Sequence, residues 1–221
     1  MADILRRGHG GQLDHLGIGV PDTEDWAGRF ETMTGATVHV GEPEPDQFYW
    51  SASLPISADS YIELVGPNPD YRGDLPNFEY LKQLTQPSID FWYIATDDID
   101  GLAIEAEAVG GLIENVDWVN RGGLEPRRSG YGRAILGPGW IPQRPCIIQW
   151  DHQVSRHGDA APECAIASFE LFHPTAAESN RLLEDLGIEA RLSPGPSRFR
   201  LVLDTPNGEL VFDNPGFDAP G

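Results

Sequence analysis

Hydrophobic and polar positions change period along this chain in a recurring order. Leu13-Asp-His-Leu-Gly-Ile-Gly-Val20 alternates with a period of two and predicts a strand; Pro21-Asp22-Thr23 then offers turn and helix-capping chemistry. Trp26, Phe30 and Met33 recur at helical spacing until Gly35, a residue suited to a helix stop. Ala36 to Val40, Gln47 to Leu54 and Tyr61 to Val65 follow as three short strands, separated by turns rich in Pro, Glu, Ser and Asp.

The same order returns twice. Ile89 to Thr96 predicts a strand, Asp97-Asp98 a cap, Ile99, Leu102 and Ala106 one helical face, and Gly110-Gly111 the stop. Leu112 to Val119, Gly132 to Leu136 and Cys146 to Trp150 are its later strands. The third copy begins at Ala165 to Phe172, turns at His173-Pro174-Thr175, and carries Leu182, Leu183 and Leu186 on a helix that ends at Gly187. Arg198 to Asp204 and Glu209 to Phe212 then form a hairpin across Pro206-Asn207-Gly208. The fold class is therefore α+β, built of βαβββ modules at 13–67, 88–151 and 164–213. One such module leaves a sheet face open, so the modules must pair within a single domain spanning 13–213 with tails at 1–12 and 214–221. Asn68 to Pro87 is an ordered connector and Val154 to Pro162 a surface loop.

Composition narrows the partners. The 221 residues hold 35 Asp and Glu against 15 Lys and Arg, a formal charge of −20, so nucleic acid and anionic membranes are excluded as expected partners. A neutral small molecule, a cationic ligand or a metal ion remains open, and so does a homodimer. The 25 Gly and 19 Pro agree with many short elements and tight turns. Cys146 and Cys164 have no metal-binding spacing and predict no disulfide framework. Without an apolar run of membrane-spanning length or a signal-peptide core, a soluble, cytoplasmic protein is expected.

Several of these segments together are similar to a known family. Leu13-Asp-His-Leu-Gly-Ile-Gly-Val-Pro-Asp22, Tyr61-Ile-Glu-Leu-Val-Gly-Pro67, Ile147-Ile-Gln-Trp-Asp151 and Phe169-Glu-Leu-Phe-His-Pro174 resemble the glyoxalase-like group of the vicinal oxygen chelate superfamily. The resemblance implies a strongly curved mixed sheet, a cup, made from paired βαβββ modules. It also implies a divalent metal, Mg, Mn, Zn, Ni or Fe, held by residues on the first and last strands of each module, although the same cup serves members that bind none. His15 falls at the first-strand position and Glu63 at the last-strand position of the first module. The second module departs from the pattern, with Phe91 and Gln149 at the matching places; Phe cannot ligate, and Gln offers only an amide oxygen.

Weighed as residues, His15 reads as a metal ligand or as a hydrogen-bonded core imidazole beside Asp14. Glu63 is a metal ligand and base, or a solvent-facing carboxylate. Gln149 is a third ligand or a satisfied buried amide, and Glu170 a second catalytic carboxylate or an edge-strand charge. Aromatic residues exceed the needs of a plain core, so Trp50, Phe91 and Tyr93 are expected to line a substrate pocket, with Arg133 holding an anionic or carbonyl oxygen. The function expected from this set is metal-dependent proton transfer of isomerase or lyase type on a small oxygen-bearing organic substrate. Dioxygen chemistry ranks lower because Phe91 stands where a second His would be needed. The competing expectation is a metal-free protein that binds or sequesters a small molecule in the same cup.

Overall fold

Strand β1 (Gln12–Gly19) lies at the middle of the larger sheet, and its alternation divides the molecule: Leu16 and Ile18 are fully buried in the core, while His15, Gly17 and Gly19 look the other way. The computed structural model describes residues 12–109, 112–119, 131–137, 141–150 and 161–215, with the backbone alone for 112–119, 131–135 and 215. Residues 1–11 and 216–221 of the predicted tails, Gly110-Gly111 and most of the loop predicted at 154–162 lie outside the described residues; the last strand runs on to Pro215, into the predicted C-terminal tail.

After β1 come helix α1 (Thr23–Thr34), β2 (His39–Val40), β3 (Tyr49–Pro55) and β4 (Tyr61–Pro67). Asp22 caps α1 by accepting a hydrogen bond from the Asp25 amide at 2.8 Å, and Gly35 ends it in the left-handed region at φ 72°. The connector contains an unpredicted helix, α2 (Pro76–Gln83), which starts on a proline and buries Phe78 and Leu81. The second module follows as β5 (Ser88–Ala95), α3 (Ile99–Ala108), β6 (Leu112–Val119), β7 (Tyr131–Gly137) and β8 (Cys146–Trp150). The third comprises β9 (Ala165–His173), α4 (Ala176–Asp185), β10 (Leu192–Pro194), β11 (Arg198–Thr205) and β12 (Gly208–Pro215).

The first two modules form one eight-stranded mixed sheet in the order β2-β3-β4-β1-β5-β8-β7-β6. Each half has its first and last strands adjacent and parallel, and the halves meet where β1 runs antiparallel to β5. The third module is wound differently. Its four strands run β10-β9-β11-β12, so its first strand sits between β10 and β11 rather than beside its last strand.

Pairing is therefore of two kinds. Modules one and two share a sheet edge, whereas the third buries its apolar face against the core-facing side of the large sheet. Trp92 on β5 meets Phe169 on β9 edge-on at 5.9 Å, and Phe30 of α1 stacks on Phe212 of β12 at 5.3 Å. Leu171, Phe199, Leu201 and Leu203 join Leu16, Ile62, Ile94 and Ile147 in one core. The β11–β12 turn also closes α1: Asn207 donates its backbone N–H to Thr34 O at 3.1 Å and its side-chain amide to Thr32 O at 3.0 Å.

Candidate functional site

The face of β1 turned away from the core carries a polar residue between aromatic neighbours. His15 is in register with Tyr61 on β4 and with Tyr93 on β5, so a tyrosine flanks it on each side across the sheet. Both rings stack on the imidazole, Tyr61 at 4.8 Å and 22°, Tyr93 at 4.5 Å and 21°. Two residues on, Gly17 pairs with Glu63 on one side and Phe91 on the other. A side chain at Gly17 would collide with Phe91, since a Cβ there would stand 2.1 Å from the ring. Glycine thus leaves the trough in which Phe91 lies, edge-on to His15 at 6.1 Å.

A bulge sets the other contacts. Register passes from Leu13–Ile94 directly to His15–Tyr93, so Asp14 is an extra residue of β1 in its pairing with β5. In a regular strand Asp14 and His15 would point to opposite faces; the bulge lets their side chains converge, with Asp14 Oδ1 2.6 Å from His15 Nδ1. Asp14 is fully buried, and its second oxygen accepts from the Trp150 indole N–H at 3.0 Å. On its other side His15 Nε2 stands 3.7 Å from Glu63 Oε2, beyond hydrogen-bond length. Glu63 keeps 18% of its side chain exposed against 6% for His15, so the carboxylate is the member that solvent and solutes reach. Burial lowers the imidazole pKa from 6.5 to about 4, with the Glu63 charge opposing the shift, and His15 is neutral at physiological pH.

A second bulge lies further along the same pair of strands. Register passes from Gly17–Phe91 to Ile18–Ile89, which leaves Asp90 as the extra residue of β5. Its carboxyl group crowds the space a side chain at Gly19 would need, and accepts a hydrogen bond from Tyr80 of α2 at 2.8 Å. Burial pushes its pKa up from 3.8 to about 6, while hydrogen bonds from Ser88 and Tyr80 pull it back.

Of the residues expected from sequence, His15, Glu63, Phe91 and Tyr93 come together here. Gln149 does not. On β8 it alternates with Trp150, and Trp150 takes the site face; Gln149 points to the helix side, where its Oε1 accepts the Ile99 N–H at 2.8 Å and caps α3. Glu170 lies in the other sheet, ion-paired with Arg200 at 2.8 Å, because the third module packs behind the large sheet rather than beside it. Trp50 is also turned away: its indole donates to Gly41 O at 2.6 Å, and its own carbonyl accepts from Thr23 of α1. Arg133 pairs with Ile148 in the β7–β8 register, and its side chain lies outside the described residues. Tyr61 and Trp150 are members that the sequence did not single out, whereas Asp14 reads in the sequence as the hydrogen-bonding neighbour of His15, and the 2.6 Å contact bears that reading out.

Among the described residues, no three His, Cys, Asp or Glu side chains are grouped to hold a metal ion. Two donors do converge, His15 Nε2 and Glu63, with Asp14 behind the imidazole as an outer carboxylate of the kind that orients histidine ligands. That set fits one end of a divalent-cation site, leaving its remaining positions to water or substrate oxygens, as hard cations accept.

The comparisons agree with the fold. A hypothetical protein from Staphylococcus aureus of known structure is 10% identical and superposes with a TM-score of 0.58 over 93% of this chain and 86% of its own. A methylmalonyl-CoA epimerase in complex with methylmalonyl-CoA and NH4+ is 21% identical, with a TM-score of 0.48 over 66% of this chain and 98% of its own. The methylmalonyl-CoA epimerase from Mycobacterium tuberculosis is 18% identical, with a TM-score of 0.46 over 67% and 92%. At such values the epimerases carry no argument about chemistry here. No curated protein matches the chain. The sequence profile of the glyoxalase-like domain matches residues 13–187, most of the chain and all of both paired modules, and the protein belongs to that family of the vicinal oxygen chelate superfamily.

Proposed function

We propose that this protein is an enzyme of isomerase or lyase type that moves a proton on a small oxygen-bearing organic substrate at the His15–Glu63 pair. The observation that carries the reading is the approach of a neutral, buried imidazole to within 3.7 Å of a partly exposed carboxylate on a face lined by Tyr61, Phe91 and Tyr93. A half-buried carboxylate next to apolar rings is a competent general base for a carbon or oxygen acid brought against it. The flat aromatic walls take up the uncharged part of such a substrate and keep water from the proton being moved. His15, immobilised by two stacked rings and Asp14, holds the substrate atom that Glu63 deprotonates. A divalent cation held by His15 and Glu63 supplies, when bound, polarisation of a substrate oxygen and charge stabilisation for the oxyanion formed.

A second reading, a metal-free binding protein, is favoured by one feature: Phe91 fills the trough over Gly17, and Gln149 caps a helix, so the second module contributes rings rather than donors. A thermal-shift screen of small carbonyl and hydroxy compounds, run with and without Mg, Mn, Ni and Zn, separates the two. The enzyme reading expects compounds that stabilise the wild type, do so more strongly with a divalent ion, and lose that ion dependence in Glu63→Gln and His15→Gln. Stabilisation indifferent to the ion and to both substitutions contradicts it.

A further inference from the structure

The row of residues that holds Glu63 continues past β4 onto two further strands. Glu63 is in register with Gly17 and, beyond it, Phe91 on one side, and with Ser53 of β3 on the other; Ser53 in turn pairs with His39 of β2. Residues directly opposite on neighbouring strands share a face. Ala52 and Leu54, on either side of Ser53, are buried in the core, so alternation turns Ser53 to the side of His15 and Glu63. Ser53 is half-buried, and among the described residues neither its hydroxyl nor the Glu63 carboxylate has a hydrogen-bond partner; the polar neighbour of Glu63 is His15 at 3.7 Å. Partly buried polar groups are usually satisfied, yet here a donor and an acceptor stand on adjacent strands without bonding to each other. A molecule lying over Glu63 can use both.

We infer that Ser53 is a substrate-binding residue, which donates its hydroxyl to the carbonyl oxygen of a molecule whose neighbouring C–H lies against Glu63. This rests on the proton-transfer reading and deepens it by orienting the substrate and naming its class. The order of residues across the sheet sets the orientation: carbonyl oxygen toward β3, acidic C–H over β4, flat apolar part toward Phe91 and Tyr93 on β5. Strands β1 to β5 carry no Lys or Arg, so a carboxylate or phosphate here would meet the charge of Glu63 with no strand cation to offset it. The substrate class is therefore an uncharged carbonyl compound with a planar apolar substituent. When Glu63 takes the proton, the electron pair of the C–H bond moves to the carbonyl oxygen, giving an enolate and a protonated Glu63; return of the proton to carbon restores both. The bond from Ser53 strengthens as charge gathers on that oxygen, so it acts on rate more than on binding.

Two uncharged ketones, acetophenone and 4-phenylbutan-2-one, serve as probes, each against the carboxylate of the same skeleton, benzoate and 3-phenylpropanoate. Binding is read by thermal shift, and exchange of the C–H next to the carbonyl by proton NMR in D2O. The wild type is expected to bind and exchange a ketone and to ignore both carboxylates. Ser53→Ala should slow that exchange about a hundredfold while the ketone still raises the thermal transition, and Ser53→Thr, which keeps a hydroxyl, should stay within about tenfold of the wild type. Ser51→Ala is the control: the same change on the same strand and face, one row on beside Val65, with exchange expected at the wild-type rate. Wild-type exchange in folded Ser53→Ala, an equal loss in Ser51→Ala, or a saturable shift with either carboxylate overturns the inference and leaves Glu63 standing as base. A wild type that binds neither ketone overturns the substrate class. Ketones that bind and never exchange sink the proton-transfer reading itself, and this inference with it.

Discussion

Two buried residues with opposite titrations face the same side of the central strands. The unfolded chain protonates an imidazole near 6.5, and folded His15 resists until about 4, so lowering the pH across that window favours unfolding. Asp90 runs the other way: its folded carboxyl stays protonated up to about 6 against 3.8 unfolded, so raising the pH across that window costs stability. The two windows overlap and largely offset each other in the wild type. Asp90→Asn keeps an acceptor for Tyr80 and removes the ionisation, so it is expected to stabilise the protein at pH 8 by about 1–3 kcal/mol. At pH 4 the gain vanishes, and denaturant titrations across pH 4–8 expose the His15 slope in that variant. Equal effects at both pH values contradict the assignment. Gly17 is the other decisive position. Gly17→Ala drives a methyl into the Phe91 ring and should cost about 1–3 kcal/mol, most of it recovered when Phe91→Leu is combined with it. His15 and Glu63 were legible because each sits mid-strand in an apolar run where a polar side chain needs a reason. Asp14 was legible only as the neighbour of His15; the bulge that brings the two side chains together was not, because alternation assigns them to opposite faces.

At the scale of the element, alternation and caps carried most of the reading. Asp22 and Asp98, read as caps, accept the amides three residues on, of Asp25 and Gly101, each at 2.8 Å. What failed was the side of β8. A strand's side chains alternate, so Gln149 and Trp150 cannot share a face, and only the register beside β5 decides which of them meets Asp14. Gln149→Leu should therefore leave the Ile99 N–H at the start of α3 without its acceptor, lowering stability by about 1 kcal/mol. It should leave any divalent-dependent thermal shift at the wild-type size; loss of that shift would restore Gln149 as a ligand. Helix α2 escaped notice because eight residues among Pro, Asp and Gly give too short a window for a helical period to stand out.

For the whole molecule, the repeat in the sequence does not say how its copies pack, and the strand order does. Two modules join through β1 and β5, whose antiparallel pairing brings His15, Phe91 and Tyr93 onto one face. The third, wound in another strand order, closes the far side of the core, which takes Glu170 out of the site. Phe212→Ala tests that role, since its ring stacks on Phe30 at 5.3 Å; a loss of about 2–3 kcal/mol in a single cooperative transition is expected, and an independent early transition of the third module contradicts a shared core. Many of the described carboxylates lie exposed at caps, turns and surface pairs, whereas Glu63 faces His15 and the aromatic trough. No helix among the described residues is long and apolar enough to cross a membrane.

Proton transfer at Glu63 is the centre of this account, and solvent deuterium incorporation tests it most directly. Carbonyl compounds that raise the thermal transition of the wild type are incubated with it in D2O, with and without divalent ions, and the C–H positions next to the carbonyl are followed by proton NMR. The account predicts enzyme-dependent exchange at one such position and its loss by at least about a hundredfold in Glu63→Gln, the scale on which general-base catalysis contributes. Compounds that bind in a Glu63-dependent manner yet never exchange a proton would contradict it, and would identify the protein as a binding module.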